Sequence, residues 1–588
     1  MNLIKLVICK HKNIPSDIWN IIKNYLYFEI NDTNIKIAVG MWVRNKNKAL
    51  ILYGNISYWD TSIVTDMSYL FFSFNNFNDD ITNWNVANVK NMEGMFRSAS
   101  SFNQPIGNWI VSNVIRMDYM FDCANSFNQP IGNWNVANVK NMEGMFRNAS
   151  SFNQPIGNWN VSNVIRMNNM FEYANSFNQP IGNWNVSNVI RMNNMFECAN
   201  SFNQPIGNWN VGNVWNMQDM FNNATSFNQD ISKWDVSNVS NMCNMFRHAI
   251  SFNQPIGIWD VSNVKSISHM FEEAFSFNQP IDNWNVDNVI YMNNIFKKAT
   301  SFNQPIDNWN VKNVECMGGM FENAKSFNQS IGSWNVKKVK YMEGMFKNAT
   351  SFNHEISNWN VCHVESMKEM FDGASSFNHP INNWIVTRVK NMEGMFRNAT
   401  IFNQPISKWK VKNVENMKEM FLNAKSFNQP IGKWNVKKVK NMEYMFGNAE
   451  NFDQPINDWN VTMVKIMKGM FNRAYSFNHP IGKWDVSNVE SMEGMFGYAT
   501  SFNQPINDWN VYKVENMKAM FWFAKSFNQE LHNWFFSDSW SDMGYNKKIT
   551  HFSNVENIKL PVSNKNNLLF LFIGIGASFL IKAYMQKS

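Results

Sequence analysis

His354 and His379 are the residues here whose placement most suggests a shared ligand. They stand 25 residues apart, at one place in consecutive copies of a repeated unit, so folding of the repeat would set them side by side. A zinc-type site needs three or four converging ligands. No cysteine or acidic column accompanies the two imidazoles, so neither a metal centre nor a cofactor is expected. The six cysteines, Cys9, Cys123, Cys198, Cys243, Cys316 and Cys362, are scattered, and only Cys123 and Cys198 share a repeat position. With no pairing framework and no CxxC spacing, free thiols in a reducing compartment are expected.

Other chemistries fare no better. The sequence has no glycine-rich phosphate loop, nucleophile elbow or HExxH motif, and its carboxylates show no special pairing, so an enzyme is not expected. Lys337-Lys338-Val339-Lys340 recurs as Lys437-Lys438-Val439-Lys440, which raises nucleic-acid binding. A phosphate track should carry one sign, yet Glu365 and Glu415 fall in the column of Lys340 and Lys440. A net charge of +7 over 588 residues is also far from a dense basic footprint. Nucleic acid is therefore not an expected partner.

What must position all these residues is a tandem array. Trp recurs every 25 residues from Trp59 to Trp534, twenty times without insertion or deletion. Phe77 to Phe527 and Phe71 to Phe521 form two further series of 19. Ser151–Asn175, SFNQPIGNWNVSNVIRMNNMFEYAN, is a representative unit, with Ser151 as position 1. Strict phase implies coils stacked so that equivalent residues form columns, because an insertion in the core path would break every column. Positions 2, 3, 6, 9, 14, 17 and 21 are expected inside, with plain packing the role of the Trp and Met columns.

Met167, Met170/Phe171 and Ala174 have the i, i+3/i+4, i+7 spacing of a short helical turn. Proline at position 5 in 14 units, Pro105 to Pro505, marks a turn or strand end. One or two short parallel strands per coil are expected, around Phe152–Gln154 or Trp159–Val161. Asn at position 3 (Asn103, Asn128, Asn153, Asn178) predicts an asparagine ladder that satisfies backbone groups at each turn. Position 13, Asn early but Lys338, His363, Arg388, Lys438 and Met463 later, reads as exposed.

Position 15 is the outer column with most to say. Glu315, Lys340, Glu365, Lys390, Glu415 and Lys440 alternate in sign, as a ladder of ion pairs between stacked coils would. Earlier the same column reads Ile165, Ile190 and Trp215. Three apolar residues on an outer face are a candidate partner-contact patch; a partly covered column is the alternative.

The units, SFNQPIGNWNVSNV followed by xxMxxMFxxA, resemble the BspA-type leucine-rich repeat, also known as a domain of unknown function of mycoplasma surface proteins. The resemblance runs from Trp59 to Trp534, and Ala38–Phe71 resembles the approach to its first coil. It implies a right-handed leucine-rich-repeat-like solenoid with interaction or adhesion roles and no enzymatic activity. Such repeats occur in bacterial surface proteins, protists and large DNA viruses. Proline at position 5 departs from the commoner aspartate, which Asp80 and Asp230 keep.

The expected organisation is a helical N-terminal cap over 1–50, the array over 51–535, a C-terminal cap and linker over 536–566, and an apolar tail helix over 567–585. Ile14-Pro15-Ser16-Asp17-Ile18 through Leu26 resembles the start of an F-box. In that reading Pro15 and Ile18 would contact a ubiquitin-ligase linker subunit, and the array would present substrates; a simple helical cap is the alternative. Leu3–Cys9, broken by Lys5, is not a secretory signal. Leu568–Ile581 is 14 uncharged residues, short of the ~20 of a full span, with Lys582 placed to snorkel. A membrane tail anchor with the array facing the cytosol is expected, and a capping or interfacial helix on a cytoplasmic protein is the alternative. The expected function is a protein-interaction scaffold.

Overall fold

The computed structural model describes residues 28–534. The chain divides into two compact units, Met1–Lys338 and Val339–Ser588, whose described coils follow one pattern. The first unit opens with two helices, α1 (Ile35–Arg44) and α2 (Lys46–Tyr53). Along α1, Ile35, Ala38, Val39 and Trp42 recur at three- and four-residue intervals and are buried. The Asn45 side chain accepts from the Lys48 N–H at the start of α2, and Gly54, at φ 77°, ends it. Trp42 meets Trp59, the first tryptophan of the array, edge-on at 6.1 Å.

Each coil then takes 25 residues and touches its neighbours through single parallel bridges at position 16, as in Asn141–Arg166–Arg191. The expected strands at Phe152–Gln154 and Trp159–Val161 do not form; both segments lack ladder pairing and run between turns. The expected helical turn over Met167–Ala174 is also replaced. The N–H groups of Met167, Asn169, Phe171 and Tyr173 donate forward to Arg191, Asn193, Met195 and Glu197 of the next coil, at 3.3, 3.0, 2.9 and 2.7 Å. The intervening N–H groups of Met170, Glu172 and Ala174 close turns on Met167, Asn169 and Phe171. Alternate donors are thus spent between coils, so the i to i−4 bonds of a helix cannot form.

That ribbon needs left-handed residues. Asn169 sits at φ 61° and Tyr173 at φ 58°, and positions 19 and 23 repeat this in coil after coil. Each is the third residue of a turn that calls for positive φ, which favours glycine or asparagine. Gly144 answers a second demand as well, since a Cβ there would lie 2.5 Å from the Tyr119 ring of the preceding coil.

Positions 2, 6, 9, 11, 14, 17, 20, 21 and 24 fill the interior, here Phe152, Ile156, Trp159, Val161, Val164, Met167, Met170, Phe171 and Ala174. Equivalent rings stack from coil to coil: Trp159–Trp184 at 6.5 Å, Phe146–Phe171 at 5.7 Å and Phe152–Phe177 at 6.0 Å. Most Trp indole N–H groups reach back to the position-6 carbonyl of the preceding coil, as Trp159 does to Ile131, while that of Trp109 has no partner. The Asn ladder forms: Asn128 Oδ1 accepts from the Asn153 N–H at 2.9 Å and from the Gln154 amide at 3.0 Å. Position 3 is nonetheless only half-buried, because its amide serves the turn at the rim and not the core. At exposed position 13, Asn163 donates to the Ala137 carbonyl of the preceding coil, a second ladder.

Candidate interaction face

Positions 15, 16, 18, 19, 22 and 23, between and beside the buried positions 17, 20 and 21, form one stretch of each coil outside the apolar core. Backbone bonds fix its spacing: the N–H of Ile190 donates to the Ile165 carbonyl at 3.0 Å and that of Trp215 to the Ile190 carbonyl at 3.3 Å. The three residues of the sequence-derived patch are therefore successive rungs. Ile165 is 41% and Trp215 40% exposed, with Ile190 half-buried between them. The Arg191 guanidinium lies 5.0 Å from the Trp215 ring centre, a cation–π contact that braces the indole at the surface. In the second unit the same column carries ion pairs, Glu365–Lys390 at 3.6 Å, Glu415–Lys440 at 2.7 Å and Lys465–Glu490 at 2.9 Å.

Deeper in this face, positions 16, 18, 19 and 22 form a charged lattice. Arg116 contacts Glu93 at 2.7 Å and Asp118 at 2.8 Å. The Asp122 carboxylate, its side chain 1% exposed, is held by Arg97 at 2.9 Å and Arg147 at 2.8 Å. Both arginines also stack on Tyr119, at 5.2 and 5.4 Å. Burial, then the hydrogen bond to Glu143, pushes the Tyr119 phenol well above its ordinary range. Arg247 holds Glu272 and Lys297 holds Glu322 in the same way farther along.

Between these matched stretches lies a different composition. Glu172, Glu197 and Asp219 occupy three successive coils, and among the described residues none of them forms an ion pair with a lysine, arginine or histidine. Burial, joined by the neighbouring carboxylates, holds the Glu172 and Glu197 carboxyls above the ordinary glutamate range. Asn169 donates to Glu172 at 2.6 Å, and Asn222 donates to both Glu197 at 3.0 Å and Asp219 at 3.2 Å. Sequence reasoning did not single out these acids, although the signal was there. Position 22 alternates Arg97, Asp122, Arg147, Glu172 and again Arg247, Glu272, Lys297, Glu322, but reads Glu197, Asn222 in between.

The other sequence-derived candidates resolve simply. His379 is turned to the Asn353 carbonyl at 3.0 Å, and His354 lies 6.4 Å from the Phe352 ring. No group of three or more His, Cys, Asp or Glu side chains among the described residues is arranged to hold a metal ion. Cys123, Cys198, Cys243 and Cys362 are free thiols, and burial raises those of Cys123, Cys198 and Cys243. Pro15 and Ile18 of the F-box-like segment, and the apolar tail over 567–585, lie outside the described residues. No helix among the described residues is long and apolar enough to cross a membrane.

Seven overlapping stretches, 43–155, 129–225, 203–305, 279–384, 352–458, 376–479 and 451–559, match the family described as "Mycoplasma protein of unknown function, DUF285". The chain belongs to that family. Membership accounts for the array as a repeat scaffold and assigns it no activity. No curated protein matches. Similar solved structures include a TLR13–ssRNA13 complex, at 9% identity over 86% of this chain and 87% of that one, with a TM-score of 0.15. The plant peptide hormone receptor RGFR1 in complex with RGF2 matches at 7% identity over 85% and 93%, with a TM-score of 0.16. The mouse RP105/MD-1 complex matches at 8% over 77% and 74%, also at 0.16.

Proposed function

We propose that this protein is a non-enzymatic scaffold that binds a protein partner through Ile165, Ile190 and Trp215. The supporting observation is a change of chemistry within one column. Position 15 carries paired charges in the second unit and apolar side chains in these three coils, exposed at Ile165 and Trp215 and half-buried at Ile190. Contiguous apolar side chains on an otherwise polar face are what partner surfaces present. The test replaces all three with serine in the full chain and compares partner capture from the native cell. Lost capture with unchanged circular dichroism is the expected result. Retained capture, or unfolding of the variant, sinks the patch.

Two terminal segments extend the reading. The apolar run Leu568–Ile581 supports attachment to a membrane, tested by whether the full chain stays with membranes through a carbonate wash and a chain ending before Leu568 does not. The Ile14-Pro15 pattern supports an adaptor role, tested by pull-down of a ubiquitin-ligase linker subunit and its loss on Pro15→Ala with Ile18→Ala.

A further inference from the structure

We infer that the acidic stretch Glu172–Glu197–Asp219 receives an arginine side chain from the protein partner. The inference rests on the scaffold reading and deepens it by naming the chemistry the partner brings.

The first observation is the interrupted alternation at position 22. Several carboxylates at this position meet a cation of a flanking coil: Asp122 meets Arg97 and Arg147, Glu272 meets Arg247, and Glu322 meets Lys297. Glu197 stands where the alternation calls for a cation, next to Glu172, and Asp219 adds a third carboxylate in the following coil. Arg147, the cation that Glu172 feels, is engaged by Asp122. The stretch therefore holds excess negative charge that the chain itself leaves unmatched.

The second observation is independent of charge. The Asn222 amide is 95% buried by residue, since only 5% is exposed, and its nitrogen bridges Glu197 and Asp219. That orientation is dictated by two carboxylates, which accept only from the N–H₂ end. The amide oxygen is left without any hydrogen-bond partner, and so is Asn168 Oδ1 in the coil of Glu172. Buried acceptors without donors are costly and uncommon. The chain gives these carboxylates amide donors, Asn194 and Asn222 to Glu197 and Gln218 and Asn222 to Asp219, but no cation, while the Asn168 and Asn222 oxygens lack donors.

The missing group has to supply both. A metal ion would need several anionic ligands converging on one point, and no such group exists among the described residues. A guanidinium has five donors in a planar fork suited to spanning separated carboxylates. The second unit shows that arrangement at the same positions: Arg397 reaches Asp372 at 2.6 Å and Glu369 at 3.0 Å in the preceding coil, and Glu419 at 2.5 Å in the following one. Successive coils are close here, with Phe171 and Phe196 ring centres 5.6 Å apart. A partner that lays an apolar side chain on Ile165, Ile190 and Trp215 would present the arginine to the same three coils, which makes a protein side chain the source.

The test uses the full chain and three fluorescein-labelled nonapeptides of glycine and leucine with a central arginine, lysine or citrulline, followed by anisotropy. Citrulline keeps the shape of arginine without its charge. The expected result is binding of the arginine peptide at least tenfold tighter than the citrulline peptide. Glu172→Gln with Glu197→Gln, which keeps side-chain size, should weaken it at least tenfold. Glu197→Arg, which restores the alternation from within, should abolish it. Equal binding of arginine and citrulline peptides, or unchanged binding by the double glutamine variant, overturns the inference. Calcium chloride that binds the wild type and displaces the arginine peptide would assign the site to a metal and overturn it too. The Ile165, Ile190 and Trp215 serine variant separates the two readings. If it loses the cellular partner while the glutamine variant keeps it, the scaffold stands and the arginine site falls; the reverse outcome removes the apolar patch alone.

Discussion

Trp159 donates its indole N–H to the backbone carbonyl of Ile131, 3.1 Å away in the preceding coil. One side chain thereby joins the core of its own coil to the main chain of another.

Trp159→Phe keeps most of the packing and removes one of two donors to the Ile131 carbonyl, which still accepts from the Trp134 N–H at 3.1 Å, so it should cost about 0.5–1.5 kcal/mol. Trp159→Ala also opens a cavity and should cost about 3–5 kcal/mol. Because a stacked array couples mainly nearest neighbours, amide hydrogen exchange should rise in the coils around Ile131 and Trp159 and stay unchanged many coils away. Uniform loss of protection along the chain would contradict this.

The Asn ladder should distinguish chemistry from size. Asn128→Ala strands the Asn153 N–H and the Gln154 amide, at about 1–3 kcal/mol. Asn128→Asp should be close to neutral, since Asp453 already accepts from the Asn478 N–H at 3.0 Å in the equivalent place. Thermal unfolding of the two variants checks the contrast; equal destabilisation by both would remove the ladder from the account.

Gly144→Ala meets two obstacles. Left-handed backbone, φ 57°, costs a non-glycine residue about 1–2 kcal/mol. The Tyr119 ring adds a steric cost, which pushes the total above that range. In a Tyr119→Ala background only the backbone part should remain, so the same glycine change becomes cheaper. A double-mutant cycle by thermal unfolding reads the difference, and a cycle that closes to zero would show that the ring yields freely.

Glu172→Gln should stabilise the chain at neutral pH, by less than about 1 kcal/mol. Burial holds the Glu172 carboxyl above the ordinary glutamate value, so the folded chain binds this proton more readily than the unfolded one. Stability from this group is present at pH below the ordinary value and declines as pH rises through the raised one. The gain from glutamine should therefore be seen at pH 7 and vanish near pH 4, where wild-type Glu172 is protonated in both states. Melting curves of the two proteins at both values provide the check; a gain that grows on acidification reverses the sign.

The period, the interior columns and the Asn ladder were legible because stacking repeats each demand every 25 residues, and the sequence answers with the same residue type. The paired Glu–Lys column at position 15 was legible for the same reason. The path of the backbone was not. Met167, Met170, Phe171 and Ala174 point inward from a ribbon of turns just as they would from a helix, so their spacing does not separate the two. Positive φ at positions 19 and 23 is partly hidden as well, because Tyr173, His248, Glu273 and Lys298 adopt it as readily here as Gly94 does. Glycine and asparagine recur at both positions, as at Gly94, Gly144, Asn148 and Asn223, and the forward hydrogen bonds of the coil impose the same conformation on the other residue types. Glu172, Glu197 and Asp219 escaped notice because no motif contains them; only the sign order along a column does.

The forward-donating N–H groups at positions 17, 19, 21 and 23 also give each unit a polarity. In an ordinary sheet the strand dipoles largely cancel. Here most N–H groups that would oppose them are folded back into turns, as those of Met170, Glu172 and Ala174 are, and the one at position 15, such as that of Ile190, donates backward against the four that donate forward. Peptide dipoles of about 3.5 D each therefore add along the stack, with their positive ends toward higher residue numbers. A charged partner lying along this ribbon meets a potential gradient, and one orientation along the coils is favoured over its reverse.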